Sequence, residues 1–163
     1  MSMGKIRKFA ELNIRKITGG KDPVRVVEDF LTRKGFDPEK CQREKTADLV
    51  RWMVQIKGDE ELEILLEGLR KPSDSTLYMG LNIITVPIRG AHDMLAAALE
   101  IADGLVGIKV SLVGHYLVLS SSLSASGLTH EELDYNFKLI EVQEGWFRDT
   151  LASELQWEDV VIE

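Results

Sequence analysis

The stretch "LVRWMVQIKGDEELEILLEGL", residues 49–69, decides the fold. Its first nine residues alternate, with Val50, Trp52, Val54 and Ile56 on one face and Arg51, Gln55 and Lys57 on the other. After Gly58-Asp59 the alternation resumes, with Leu62, Ile64 and Leu66 set against Glu61, Glu63 and Glu67. A period of two puts successive side chains on opposite sides of an extended backbone, so each half reads as a half-buried strand. The Gly-Asp step between them is a turn, and the pair is therefore an antiparallel hairpin with one wet face.

Downstream, "KPSDS" is a second turn and "TLYMGLNIITVP" a third strand, stopped by Pro87. "AHDMLAAALEIADGL" then changes period, placing Met94, Leu95, Ala98, Ile101, Ala102 and Leu105 on a wide helical arc. Its alanines suit close approach to a neighbouring surface. "IKVSLV" and "YLVLSSSL" are two more strands around Gly114-His115, followed by a serine-rich loop. Thr129 with Glu132 forms a capping box that opens a last, long helix.

Upstream, Asp22 is a good N-cap, and Pro23 occupies the first helical position, where its missing N–H costs nothing. Val24, Val27, Phe30 and Leu31 make that helix's apolar stripe, Gly35 ends it, and "FDPEKCQREKTAD" reads as a polar connector. The expected architecture is α+β, an antiparallel sheet with flanking helices in the order α-βββ-α-ββ-α. One domain spans residues 22–163, which is enough chain to bury roughly 70% of its unfolded surface without a metal or disulfide.

Residues 1–21 read as a separate leader. Ile6, Phe9, Ala10, Ile14 and Ile17 share one helical face, opposite Arg7, Lys8, Glu11 and Arg15, and Gly19-Gly20 makes a joint. Six of the chain's 20 basic residues but only one of its 27 acidic residues lie there, so the body is strongly acidic. An acidic body repels phosphates, so no nucleic-acid partner is expected. The basic leader has three readings: a membrane-surface helix, a segment docked on the acidic body of its own or a neighbouring chain, or a frayed terminus. Docking is favoured, because the apolar face is short and no lipidation signal accompanies it.

A composition 44% hydrophobic and 29% charged belongs to an ordinary soluble protein. Cys41 stands alone, which excludes an internal disulfide and a CxxC zinc site and points to a reducing compartment. With no signal peptide or membrane-length apolar run, the cytoplasm is the expected location.

The element order resembles the YbjN-like and type III secretion chaperone-like family over about residues 22–155. The likeness is carried by "DPVRVVEDFLTRKGF", "LVRWMVQI", "ELEILLEGL", "IITVP", "IKVSLVGHYLVLSSSL" and "THEELDYNFKLIEV". It implies a non-enzymatic dimer that holds or regulates other proteins, with no family catalytic residues to carry over.

The search for chemistry agrees. His92-Asp93 and His130-Glu131-Glu132 sit at helix starts, where acidic residues complement the helix dipole, and no second cluster offers metal-ligand spacing. His115 follows Gly114 in a turn. The serines from Ser120 to Ser126 lack a nucleophile elbow, Cys41 lacks a histidine activator, and no phosphate-binding glycine loop occurs. No cofactor and no metal site is expected.

The last helix carries the functional clue. Leu133, Phe137, Ile140, Phe147, Leu151 and Leu155 share one face and suit burial against the sheet. Tyr135, Leu139, Val142 and Trp146 lie on another. Two arrangements answer this surplus. The leader or the first helix covers the second row within the chain, with a break at Gly145 as a further complication. Otherwise the row is a dimer or client surface, and Tyr and Trp are favoured anchors there. The candidate partner-binding residues are Tyr135, Leu139, Val142 and Trp146, with Ile6, Phe9 and Ile17 of the leader. A homodimer with a protein client is the expected assembly. The alternatives are a small-ligand or enzymatic pocket between sheet and helices, near His115 or the serines, and a peripheral membrane adaptor using the leader.

Overall fold

The computed structural model describes residues 22–58, 60–71 and 73–155. Helix α1 spans Pro23–Arg33 and begins as its sequence dictates: the Asp22 carboxylate accepts the Val24 amide at 3.1 Å, with Pro23 in the first turn. It buries Val26, Val27, Phe30 and Leu31, and the chain leaves it through Gly35 at φ +87°.

The polar connector that follows holds more structure than its composition suggests. Asp37 caps a single helical turn, α2 (Pro38–Cys41), which runs directly into a short strand β1 (Gln42–Lys45). Its residues are nearly all exposed, so no apolar alternation marks β1 in the sequence. The strand exists because β2 (Leu49–Lys57) offers it a ladder, with Lys45 paired to Val50 and Gln42 to Trp52.

β2, β3 (Glu60–Glu67) and β4 (Thr76–Thr85) form the expected meander. Helix α3 (Ala91–Ala102) crosses to β5 (Lys109–Val113), and β5 turns at Gly114 into β6 (Tyr116–Ser124). Among the described residues the strands make one antiparallel sheet in the order β1-β2-β3-β4-β6-β5. β6 thus pairs with β4, and β5 is left on the edge. The fold class is α+β, as read from the sequence, with one additional helical turn and one additional strand.

Helix α3 begins after Gly90, at φ +79° and with no side-chain cap bond, and His92-Asp93 sit in its first turn, the helix start read from the sequence. The strand read from "YLVLSSSL" is β6, which runs one residue further to Ser124, and Ser120 and Ser121 are buried in it. Tyr78 explains Ser120. Its ring lies over Gly80 on the outer face of the sheet, where any larger side chain would collide with it, and it hydrogen-bonds Ser120 across the strand pair. Burial pushes the Tyr78 phenol up from its ordinary value, with the Ser120 bond opposing.

Helix α4 (His130–Glu154) closes the molecule. The Thr129–Glu132 capping box is formed in both directions, and the helix runs unbroken through Gly145. It lies over β4 and β6 with α1 and α3 beside it. Val50, Trp52, Val54, Leu62, Ile64, Leu66, Leu77, Met79 and Leu81 of the sheet meet Leu133, Phe137, Ile140, Phe147 and Leu151 of α4 in one core. Phe30 of α1 meets Phe137 of α4 edge-on, ring centres 5.7 Å apart. Lys34 sits over both rings and reaches Asp134 at 2.5 Å. At the other end, Arg148 bonds Glu144 on its own helix and Glu60 at 2.9 Å, pinning α4 to the β2–β3 turn.

Candidate partner-binding surface

Helix α4 is 25 residues long, and one face of it is enough to cover the sheet. Leu133, Phe137, Ile140, Phe147 and Leu151 take that face and are buried. The second row is turned away from it. Tyr135 is 64% exposed, Val142 72% and Trp146 46%. Leu139 behaves differently: it is half-buried and packs against the core.

What covers Leu139 is the connector from α3 to β5, residues 103–108. Gly107 passes so close that a Cβ on it would lie 3.4 Å from the Leu139 methyl, and Gly107 itself has φ +74°. Gly104 lies under the Trp146 ring, where a Cβ would sit 3.3 Å from its edge. Between them, the Gln143 amide donates to the Val106 carbonyl at 3.0 Å. About two turns of α4 are therefore lined by the connector's backbone, which is why "DGLVG" carries two glycines. This cover reaches Leu139 and one edge of Trp146, and leaves Tyr135 and Val142 in water. Neither of the two covers read from the sequence is this one. Helix α1 packs on the Phe137 and Asp134 side of α4, and the leader lies outside the described residues.

The exposed row does not stand alone. Val106, in the connector beside it, is 75% exposed, and Leu99 of α3 is 70% exposed. A second apolar group surrounds the β5–β6 hairpin: Leu112, Val113, Tyr116 and, in the loop after β4, Ile88 at 97% exposure. The Val86 amide donates to the His115 carbonyl at 2.6 Å and holds that loop against the hairpin tip. The sequence did contain a signal for this second group. Leu112 and Val113 are adjacent, so one of them must face away from the core side of an edge strand. Leaving each such side chain in water forgoes roughly 1.5–3 kcal/mol of burial. Of the sequence-read partner residues, Tyr135, Val142 and Trp146 thus lie together in the open, and Leu139 borders them half-covered. Ile6, Phe9 and Ile17 fall outside the described residues.

A shallow cleft lies between α1 and α4, lined by Phe30, Arg33, Lys34, His130, Glu131 and Asp134. Neither His115 nor any of the serines, where the alternative reading put a ligand pocket, lines it, and Ser120 and Ser121 are buried. The His130 ring nitrogens are covered and have no hydrogen-bond partner. Asp134 is held down to about 2 from 3.8, first by its bond from Lys138 and then by that from Lys34. Burial pushes the Cys41 thiol up, with Arg43 opposing and Asp37 adding, which disfavours a nucleophilic thiolate. Among the described residues no three His, Cys, Asp or Glu side chains converge as a metal site. No described helix is long and apolar enough to cross a membrane.

No family model and no curated protein matches the chain. Solved structures do. A chain in the crystal structure of the ExsC–ExsE complex superimposes with a TM-score of 0.55 at 13% identity, covering 78% of this chain and 92% of its own. A chain of the HopA1–SchA chaperone–effector complex matches at 0.49 and 15% identity, covering 76% and 91%. YbjN from E. coli matches at 0.44 and 15% identity, covering 80% and 90%. The chain has the YbjN-like, type III secretion chaperone-like fold that its element order resembles.

Proposed function

We propose that this chain is a non-enzymatic protein-binding module, chaperone-like or regulatory, that acts as a homodimer and holds a protein client on apolar surface. One observation carries the reading: Tyr135, Val142 and Trp146 stand exposed in a row beside Val106 on a helix whose core face is already satisfied. An apolar row of this kind on a soluble protein marks an interaction site, and its Tyr and Trp supply rigid contact area at low entropic cost. That structures of similar fold include chaperone–effector complexes supports the same direction.

The homodimer rests on the sheet edges. β1 is short, carries Arg43, Glu44 and Lys45, and shifts register between Gln42 and Glu44, all of which discourage a further strand. β5 has a regular register and a single charged residue, Lys109, at its start. Antiparallel pairing of β5 with a second copy about Ser111 sets Val110 against Leu112, and Lys109 against Val113, in both halves. No like charges then oppose each other, and the two-fold contact is self-complementary.

The test is aggregation suppression, followed by light scattering of a chemically unfolded test protein diluted into buffer. The wild-type chain is expected to suppress aggregation, whereas the Tyr135→Lys, Trp146→Lys double variant loses most of that effect while keeping its circular dichroism. Equal suppression by the two would overturn the assignment of the row. Sedimentation equilibrium is expected to give twice the 18.3 kDa chain mass, falling to one chain with Leu112→Lys.

A further inference from the structure

We infer that the part of a client taken up by the α4 row is a basic amphipathic helix of about three turns, an inference that rests on reading that row as a binding surface. The shape of the row sets the length and the conformation. Tyr135, Val142 and Trp146 stand at i, i+7 and i+11, one stripe about 17 Å long. The stripe offers side chains rather than a strand edge. The peptide groups of α4 are bonded within the helix, and in the connector the Val106 carbonyl already accepts from Gln143. An extended segment laid there would bring unpaired N–H and C=O groups against apolar side chains. A helix satisfies its own backbone and presents only an apolar face.

The frame of the row sets the charge. Glu131 and Asp149 are eighteen residues apart, about five turns, so they share one angle on α4, about 20° from Val142. Glu131 lies one turn before Tyr135, and Asp149 one turn beyond Trp146. Asp103 is next to Gly104, which lies under the Trp146 ring. All three carboxylates are exposed, and none has an ion-pair partner among the described residues. The lysine and the arginine of α4 are both taken: Lys138 by Asp134 at 2.8 Å, and Arg148 by Glu144 and Glu60. A basic rim on the incoming helix therefore meets three unpaired carboxylates, and an acidic rim meets like charge. Such rim charges govern the choice of partner and its salt dependence more than raw affinity.

The experiment follows the fluorescence anisotropy of labelled peptides of about four turns, with blocked ends, titrated with the full chain. One peptide has leucines at helical spacing and a lysine rim, a second has a glutamate rim, and a third is the lysine peptide with a central proline. At low salt the lysine peptide is expected to bind about tenfold more tightly than the glutamate peptide, a gap that narrows as salt is added. The proline peptide is expected to lose most of the binding. Glu131→Gln with Asp149→Gln is expected to weaken the lysine peptide about three- to fivefold. Glu61→Gln with Glu67→Gln makes the same change of net charge on the sheet face opposite the helices, and is expected to leave binding unchanged.

Equal losses from the two glutamine pairs would overturn the inference, because the peptide would then be sensing the acidic body as a whole. Equal binding of the lysine and glutamate peptides, undiminished binding of the proline peptide, or no binding at all would overturn it too. So would anisotropy that rises and then falls as the chain concentration climbs, which would put a second copy of the chain on the row. The neutral variant Tyr135→Ser, Trp146→Ser separates these failures from failure of the surface. If it loses aggregation suppression while the peptides show no charge preference, the binding surface stands and the client's chemistry falls. If it suppresses aggregation normally, the surface itself falls.

Discussion

Leu139 rests on Gly107, whose backbone φ of +74° brings the α3–β5 connector flat against α4. The contact divides the outer side of the helix into a strip sealed by the chain itself and a strip left to solvent. Gly107→Ala has room for its methyl but must hold a left-handed conformation that costs about 1–2 kcal/mol. Urea unfolding is expected to show a loss of that size. Gly104→Ala, by contrast, presses on the Trp146 ring and is expected to change the exposure of the indole, read as a shift in its emission.

The two faces of α4 make opposite predictions for similar substitutions. Ile140→Ala, at a fully buried site, is expected to cost about 2–5 kcal/mol by removing packed atoms and leaving a cavity. Val142→Ala, two residues on and 72% exposed, is expected to stay within about 0.5 kcal/mol of the wild type. Parallel denaturant titrations check both. A large loss at Val142 would mean that this chain already buries it.

Gly145 lies inside an unbroken helix, and a Cβ there would meet nothing within 4 Å. Gly145→Ala removes backbone freedom from the unfolded chain without a clash. It is therefore expected to stabilise by about 0.5–1 kcal/mol, visible as a raised Tm.

Asp134 gives a pH dependence with a definite sign. Bonds from Lys138 and Lys34 lower its carboxyl from 3.8 to about 2. A group whose folded value lies below its unfolded value adds stability above the unfolded value and loses it as the pH falls through the folded one. The stability gap between wild type and Asp134→Asn is thus expected at neutral pH, to shrink below about pH 4, and to close near pH 2. The carboxylate is solvent-screened, so the gap is small and is also expected to narrow with added salt.

How far the sequence alone led depended on what each element uses for its stability. β2 and β3 alternate cleanly because one face is core and the other water, and Trp52 and Ile64 fell where their periodicity placed them. The caps at Asp22 and Thr129 were legible because capping is local chemistry. β1 was not, since "QREK" has no apolar face and is a strand only because β2 stands beside it. The strand through the β6 serines was legible but the burial of Ser120 was not: it hydrogen-bonds the Tyr78 side chain, and that contact spans 42 positions in sequence. The candidate surface was half legible. Helical spacing set Tyr135, Val142 and Trp146 apart from the core, but only the packed chain shows that a glycine-bearing connector takes Leu139 and that Val106 joins the open row.

The most direct measurement follows Trp146 itself. Trp52 is fully buried, so with Trp157→Phe the quenchable emission belongs to Trp146. Titration with a permanently unfolded test protein that lacks tryptophan is predicted to shift that emission to the blue and to protect it from acrylamide, saturably. Emission and quenching that stay unchanged throughout the titration would contradict a client seated on this row.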